Sequence, residues 1–198
     1  MQQDATDEHL MLRLLSGDDS ALATLMGRWE AACWCFIDRM CGRLGCTEDI
    51  YQDVWTRLYV YRSRYDPGRP FRSYLFAIAA NCSRRALSKA RRQRVFALTL
   101  GDDPPIAALG PQAAADADAA EQTAVLHRAI ESLPDRQRAT VLLYLLFSTD
   151  YARVAEVLGC SVGTVRSNMH HALGKLRGLL NRAAVATEAQ VDHGRLTH

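Results

Sequence analysis

Residues 151–173 read YARVAEVLGCSVGTVRSNMHHAL. Apolar spacing predicts a short helix over 151–158 with Val154, Ala155 and Leu158 inward. Gly159 and Cys160 make a turn, and Ser161 is placed to cap a second helix. Val162, Val165, Met169, Ala172, Leu173 and Leu176 recur as the buried stripe of that second helix. Its other side shows Gly163, Thr164, Arg166, Ser167, His170 and His171, with Asn168 among them. A helix, a glycine turn and a capped helix with a small, polar and basic outer face form a helix-turn-helix. The second helix of such a unit suits a major groove: small residues at its start permit close approach, and Arg, Ser and Asn reach base edges or phosphates. The plainer alternative is a packed helix pair with a solvated face.

Outward from this stretch the flanks also read as helices, and no alternating pattern argues for a strand. One helix is expected over 7–15, closed by Gly17. Asp18, Asp19 and Ser20 offer a cap to a longer helix running through 44. Thr47 caps a third, whose first turn carries Glu48 and Asp49, favourable for the helix dipole. A turn at 66–70 (DPGRP) precedes a fourth helix over 71–93, with Leu75, Ile78, Ala79, Cys82 and Ala86 on one face. Helices over 121–132 and 134–147 follow, the second opened by Pro134. Between the two groups, residues 101–120 read GDDPPIAALGPQAAADADAA and hold three of the six prolines. That composition predicts an extended or flexible acidic connector. The expected fold is therefore all-α: two small helical domains joined by a flexible acidic linker.

Charge sharpens the division. Residues 1–94 carry 15 Lys/Arg and 11 Asp/Glu, 95–123 carry five acids and no base, and 124–198 carry nine bases and six acids. The net charge of +2 hides this asymmetry. Within 84–94 lie Arg84, Arg85, Lys89, Arg91, Arg92 and Arg94 with no acid, just after Phe71, Tyr74, Phe76 and Asn81. Cations, aromatics and an amide together suit an opened nucleic-acid strand, although basic residues also complement a helix C-terminus. Residues 47–59 (TEDIYQDVWTRLY) interleave Glu48, Asp49, Gln52 and Asp53 with large apolar side chains including Trp55. Such a face can dock on a basic protein surface or simply be solvated.

Other classes are less well supported. The longest wholly apolar run, 141–147, is seven residues, against the roughly 20 that span a bilayer. The first ten residues have no basic segment, so a secretory signal is not expected and the chain is read as cytoplasmic, without membrane insertion. Four of the six cysteines, Cys33, Cys35, Cys41 and Cys46, crowd together without a C-x-x-C pair. Cys33 and Cys35 would stand about 200° apart on a helix. They read as reduced core residues; a metal or thiol sensor built on the four is the alternative. His9, His127, His170 and His171 have no partner at nucleophile or ligand spacing, and no cofactor is expected.

Taken in order, these segments resemble an extracytoplasmic-function sigma factor of bacterial RNA polymerase, over roughly residues 8–94 and 121–180. EDIYQDVWTRLY resembles the helix of that family that docks on the polymerase clamp. YDPGRPFRSYLFAIAANCSRR resembles the segment that melts and reads the minus-ten element. LPDRQRATVLLYLL and YARVAEVLGCSVGTVRS resemble the fourth sigma region. The resemblance implies a second-region bundle over 1–94, a linker over 95–120, a fourth region over 121–182 and a polar tail over 183–198. It implies polymerase contacts at Glu48, Asp49, Gln52, Asp53 and Trp55. Minus-ten contacts would fall to Arg69, Phe71, Ser73, Tyr74, Asn81, Arg84, Arg85 and Lys89. Minus-thirty-five contacts would fall to Gly163, Thr164, Arg166, Ser167, Asn168, His170 and His171. The family often has Asp where this chain has Arg85, and Arg where it has Asn168 and His171, which thins the basic recognition surface. The implied partners are core RNA polymerase, promoter DNA and an anti-sigma protein, and the implied role is an initiation subunit rather than an enzyme. A stand-alone, dimeric helix-turn-helix regulator is the other candidate; it leaves the acidic helix and the linker unexplained.

Overall fold

Eight α-helices make up the computed structural model, which describes residues 5–99, 117–148 and 150–195; there is no strand among these residues. They are α1 (Asp7–Leu15), α2 (Ser20–Cys41), α3 (Thr47–Val60), α4 (Phe71–Thr99), α5 (Ala117–Glu131), α6 (Asp135–Leu146), α7 (Tyr151–Leu158) and α8 (Val162–Arg195). Short 3₁₀ turns, Gly42–Leu44 and Arg62–Arg64, follow α2 and α3.

The helix starts have identifiable causes. Thr6 caps α1 by accepting the His9 N–H at 3.2 Å. Asp18 makes the entry to α2: its carboxylate accepts from the Ser20 N–H at 3.1 Å and pairs with Arg13 at 2.6 Å. The Ser20 hydroxyl and Arg13 hold that carboxyl below its ordinary value. The helix expected through 44 ends at Cys41 and tightens into a 3₁₀ turn. Thr47 does not cap α3; its hydroxyl turns to Asp38 at 3.3 Å, leaving Glu48 and Asp49 to complement the dipole.

Other boundaries differ from expectation too, and α5 begins at Ala117 rather than 121. The fourth helix continues past 93 to Thr99, because no glycine or proline intervenes before Gly101. The last helix continues to Arg195, through most of the segment expected as a polar tail; its alanine-rich sequence is a good helix former. The expected linker has helical ends, and its middle, 100–116, lies outside the described residues.

In the N-terminal half, α1 to α4 bury Leu10, Met11, Leu14, Leu25, Ile37, Met40, Leu58, Leu75 and Phe76. Phe76 sits at the centre, edge-on to Trp29 and Phe36 with centroids 6.0 and 5.4 Å away. This core does not stop at the linker: Ala139, Leu143, Phe147, Val154, Ala155, Val157 and Val165 continue it. A second cluster joins Ala129, Ile130, Leu133 and Val141 to Met169, Ala172 and Leu176 of α8. Helix α6 thus stands between two cores, which explains why 141–147 is apolar on more than one side. Polar bonds close the same seam. Arg138 of α6 donates to the carbonyls of Met40, Glu131 and Leu133, and Arg72 of α4 donates to the Leu146 carbonyl. Arg43–Glu131 and Arg91–Asp135 ion pairs, each at 2.6 Å, also cross it.

Candidate nucleic-acid interface

The α7–α8 unit has the caps and turn its sequence suggested; Val154 and Ala155 are buried as expected, but Val157 is buried as well and Leu158 only half-buried. The Asp150 carboxylate accepts from the N–H groups of Ala152 and Arg153 at 2.9 and 3.2 Å, capping α7. Gly159 ends it with φ +63°, a left-handed position glycine adopts freely. Ser161 caps α8, its hydroxyl oxygen accepting the Thr164 N–H at 3.1 Å. Val165, Met169, Ala172 and Leu176 are buried, whereas Leu173, expected in that stripe, is 43% exposed. It falls at the edge of the buried face, one residue past Ala172. Gly163, Thr164, Arg166, Ser167, His170 and His171 are exposed together on the outer side. Arg166 reaches back over the Tyr151 ring, 6.0 Å from its centroid. Asn168 departs from this group: it is half-buried and faces α4.

The second surface is the edge formed by the 66–70 turn and α4. Asp66 folds the turn, its carboxylate accepting the Gly68 N–H at 2.9 Å, and the Tyr65 hydroxyl donates to the Arg69 carbonyl at 2.8 Å. Glu8 receives the first N–H of α4, from Phe71, at 2.9 Å. Arg69 is exposed, with its guanidinium 3.5 Å from Asp66 and 3.6 Å from Glu156 of α7. Tyr74 is half-buried, its hydroxyl donating to the Tyr61 carbonyl at 3.0 Å; burial pushes its phenol up from the ordinary value. Asn81, Arg85 and Lys89 are exposed, and the Asn81 amide oxygen accepts from Arg84 at 2.5 Å.

Two expected contact residues lie elsewhere. Phe71 and Ser73 are buried. Phe71 packs between Trp29 and Tyr65, at 6.3 and 6.5 Å, and so supports the turn from beneath. Phe71 offers no surface to a strand in this arrangement, whereas Ser73 lines a cavity of about 320 Å³ together with Tyr65, Arg69, Tyr74 and, from α7, Glu156 and Val157.

Asn81, Arg84, Arg85, Ser88, Arg91 and Arg92 form one wall of a cleft of about 820 Å³. The N-terminus of α6, with Asp135, Arg136 and Gln137, and Asn168 of α8 form the other. Five guanidiniums therefore face a single carboxylate, an environment suited to phosphate oxygens.

Along α3, Glu48, Asp49 and Gln52 are exposed, and Gln52 donates to Glu48 at 3.3 Å. Asp53 is half-buried and pairs with Arg57 at 2.7 Å. Trp55 is only 4% exposed and packs on Tyr51, 6.1 Å away, so it braces this face from inside. An aromatic not anticipated here is Trp34 of α2, 40% exposed and 5.5 Å from Tyr51. The cysteines divide as helical spacing requires: Cys33 and Cys41 are buried and Cys35 is exposed. Burial pushes the Cys33 and Cys41 thiols up to about 12.

The Sigma-70 region 2 family model matches residues 28–93, and that of Sigma-70, region 4 matches 123–176. The chain is 33% identical over 178 residues to the ECF RNA polymerase sigma factor SigF of Caulobacter vibrioides, spanning 88% of this chain and 93% of that one. It belongs to the extracytoplasmic-function sigma factors. Solved structures share its fold. That of CnrH in complex with the cytosolic domain of CnrY superposes with a TM-score of 0.64 at 23% identity, over 90% of this chain and 99% of that one. That of the sigma factor RpoE in complex with the anti-sigma factor NepR from Bartonella quintana gives 0.63 at 20% identity, over 80% and 96%. The sigma factor thus carries, in one chain, the two regions through which its family directs transcription from promoters. No helix among the described residues is long and apolar enough to cross a membrane.

Proposed function

We propose that this sigma factor divides promoter recognition among three surfaces. The exposed acidic side of α3, with Glu48, Asp49, Gln52 and Asp53, docks on the polymerase clamp. The turn at 66–70 and the basic edge of α4, through Arg69, Tyr74, Asn81, Arg84, Arg85 and Lys89, hold the opened minus-ten strand. The outer side of α8, through Gly163, Thr164, Arg166, Ser167, His170 and His171, reads the minus-thirty-five duplex, with half-buried Asn168 at its edge.

The observation that carries this division is the capped second helix of a helix-turn-helix, exposed along its small and polar side. Beside it, within the same chain, stand five arginines across a cleft. Side chains on a rigid helix hold base-reading geometry, while arginines at the strand edge supply the salt-dependent phosphate term. Extruding one base of the melted element costs a few kcal/mol, offset by contacts to the exposed strand. Core polymerase places this work in the cytoplasm, and no catalytic role is assigned to the chain. The complex of a fold neighbour with an anti-sigma factor supports an inhibitory protein partner here as well.

Reconstituted transcription tests the proposal. Core polymerase, the protein and a pool of genomic fragments from the same source should give transcripts from discrete start sites only when the protein is present. Failure to bind core, with retention of palindromic fragments by the protein alone, would overturn it in favour of a stand-alone dimeric regulator.

A further inference from the structure

The cleft between α4 and α6 holds more positive charge than the surrounding fold neutralises. Arg84, Arg85, Arg91 and Arg92 line it from α4, and Arg136 lines it from α6. Among the described residues around it Asp135 is the one carboxylate, and Arg91 already holds that carboxylate at 2.6 Å. Arg84 is oriented rather than neutralised: it donates to the Asn81 amide oxygen at 2.5 Å, and its Nε is buried without an acceptor. Guanidiniums facing one another repel, so the two walls approach at an electrostatic cost that a bound anion removes. The start of α6 adds to the same field. No side chain caps this helix, and its first three residues, with Pro134 before them, line the cleft.

Size and lining narrow the ligand. The volume of about 820 Å³ falls within the roughly 300–1,000 Å³ of small-molecule sites. Five guanidiniums against one carboxylate leave four positive charges uncompensated. A single phosphate, carrying about −1.5 to −2, meets at most half of that excess. A chain of two or three phosphates meets it and reaches both walls. Among the described lining residues there is no aromatic ring on which a base would stack; Asn81, Ser88, Gln137 and Asn168 supply hydrogen bonds only.

We propose that this cleft is a binding site for a small polyphosphorylated ligand, of the class that includes nucleoside triphosphates and inorganic tripolyphosphate, whose phosphate chain bridges α4 and α6. The guanidiniums grip the chain from two sides, each able to take two oxygens at once. With no ring to hold a base, the site reads phosphates and is indifferent to the nucleobase. Binding relieves the repulsion across the cleft and so stabilises the packing of α6 on α4. Arg136 and the start of α6 belong to this site and not to the strand-holding edge proposed above, which makes the two separable by measurement.

Calorimetric titration of the full chain, at physiological salt and without divalent metal, tests this with tripolyphosphate, ATP, GTP, inorganic phosphate and adenosine. Tripolyphosphate and both nucleotides should bind once per chain, inorganic phosphate at least about tenfold more weakly, and adenosine not at all. Tighter binding of both nucleotides than of tripolyphosphate assigns the site to nucleoside triphosphates, and the reverse assigns it to inorganic chains. Saturating tripolyphosphate should raise the melting temperature. Arg136→Gln and, separately, Arg92→Gln should each weaken tripolyphosphate about tenfold. Both side chains are exposed, so neither change disturbs the core. Arg136→Gln should leave affinity for a single-stranded oligonucleotide within about twofold of the parent. Absence of tripolyphosphate binding at millimolar concentration overturns the site. So does binding of several molecules per chain, or binding undiminished in both variants, which is diffuse attraction to a basic surface. A preference of more than about tenfold between ATP and GTP also overturns it, since the base would then be read. Equal loss of oligonucleotide and tripolyphosphate in Arg136→Gln would make the cleft part of the strand surface and end the proposal. If tripolyphosphate binds as expected and the oligonucleotide does not bind at all, the minus-ten assignment fails and the polyphosphate site stands.

Discussion

Phe147 meets Phe76 edge-on, ring centroids 6.2 Å apart and planes at 83°, although one belongs to the corner after α6 and the other to the middle of α4. Phe76 is fully buried and Phe147 is 9% exposed. The pair makes the two halves share one apolar core, so they should unfold together. Phe147→Ala leaves a cavity beside Phe76 and should cost about 3 kcal/mol. Calorimetry of the parent should give one cooperative transition, and that of the variant two, as the halves uncouple. One unchanged transition in the variant would mean that the shared core does not couple them.

Arg138 is the polar counterpart of that contact. Burial pulls its guanidinium below the ordinary arginine value, with nearby Asp135 opposing. Its donors satisfy carbonyls at the end of α2 and around the α5–α6 turn. Charged hydrogen bonds of this kind are worth about 1.5–3 kcal/mol each, and the freed carbonyls lose their partners as well. Arg138→Ala should therefore lower the free energy of unfolding by about 2–4 kcal/mol in denaturant titration. Arg138→Lys should recover little of it, because a point-like ammonium cannot serve carbonyls spread around a planar fork. Full recovery by lysine would show that charge alone holds the seam.

Much of this was legible in the residues, and the exceptions share a cause. The α7–α8 unit follows from local rules: an Asp150 cap, a left-handed Gly159 and the Ser161 cap each act within three residues. Phe71, Ser73 and Trp55 did not follow, because their burial is set by residues distant in sequence: Trp29 and Tyr65 around Phe71, and the α2–α3 packing around Trp55. The seam was hidden for the same reason. Its one sequence signal is the run 141–147, apolar around more of the helix than one core requires; Val141 faces the α8 cluster and Leu143 the α4 cluster. The pairing partners of Arg69, Arg91 and Arg138 leave no periodic trace.

Ser161 offers a test of recognition-helix geometry separate from base contact. Its hydroxyl accepts the Thr164 N–H and lies 2.9 Å from the Thr164 hydroxyl, fixing the first turn of α8. Ser161→Ala should cost about 1 kcal/mol of stability. It should also weaken duplex binding at the minus-thirty-five element while leaving sequence preference intact, since Arg166 and Ser167 remain. Ser161→Asp, another good cap, should restore stability. A change in preferred sequence would instead make Ser161 a base-reading residue.

The thiols give a pH prediction whose sign is fixed by burial. Desolvation pushes Cys33, Cys41 and Cys82 from the ordinary 9.0 up to about 12 in the folded chain. A thiol that keeps its proton longer when folded stabilises the native state below pH 9. That stability is lost as the pH climbs from 9 towards 12, where the unfolded chain has already released the proton. The loss is about 1.4 kcal/mol per pH unit for each such thiol. Denaturant midpoints should hence fall steeply above pH 9, and less steeply in a Cys33→Ala, Cys82→Ala variant. At pH 8, iodoacetamide should modify the exposed Cys35 first and reach Cys33, Cys41 and Cys82 only on unfolding. Rapid labelling of those three in the folded protein would show that the N-terminal core opens far more readily than its packing implies.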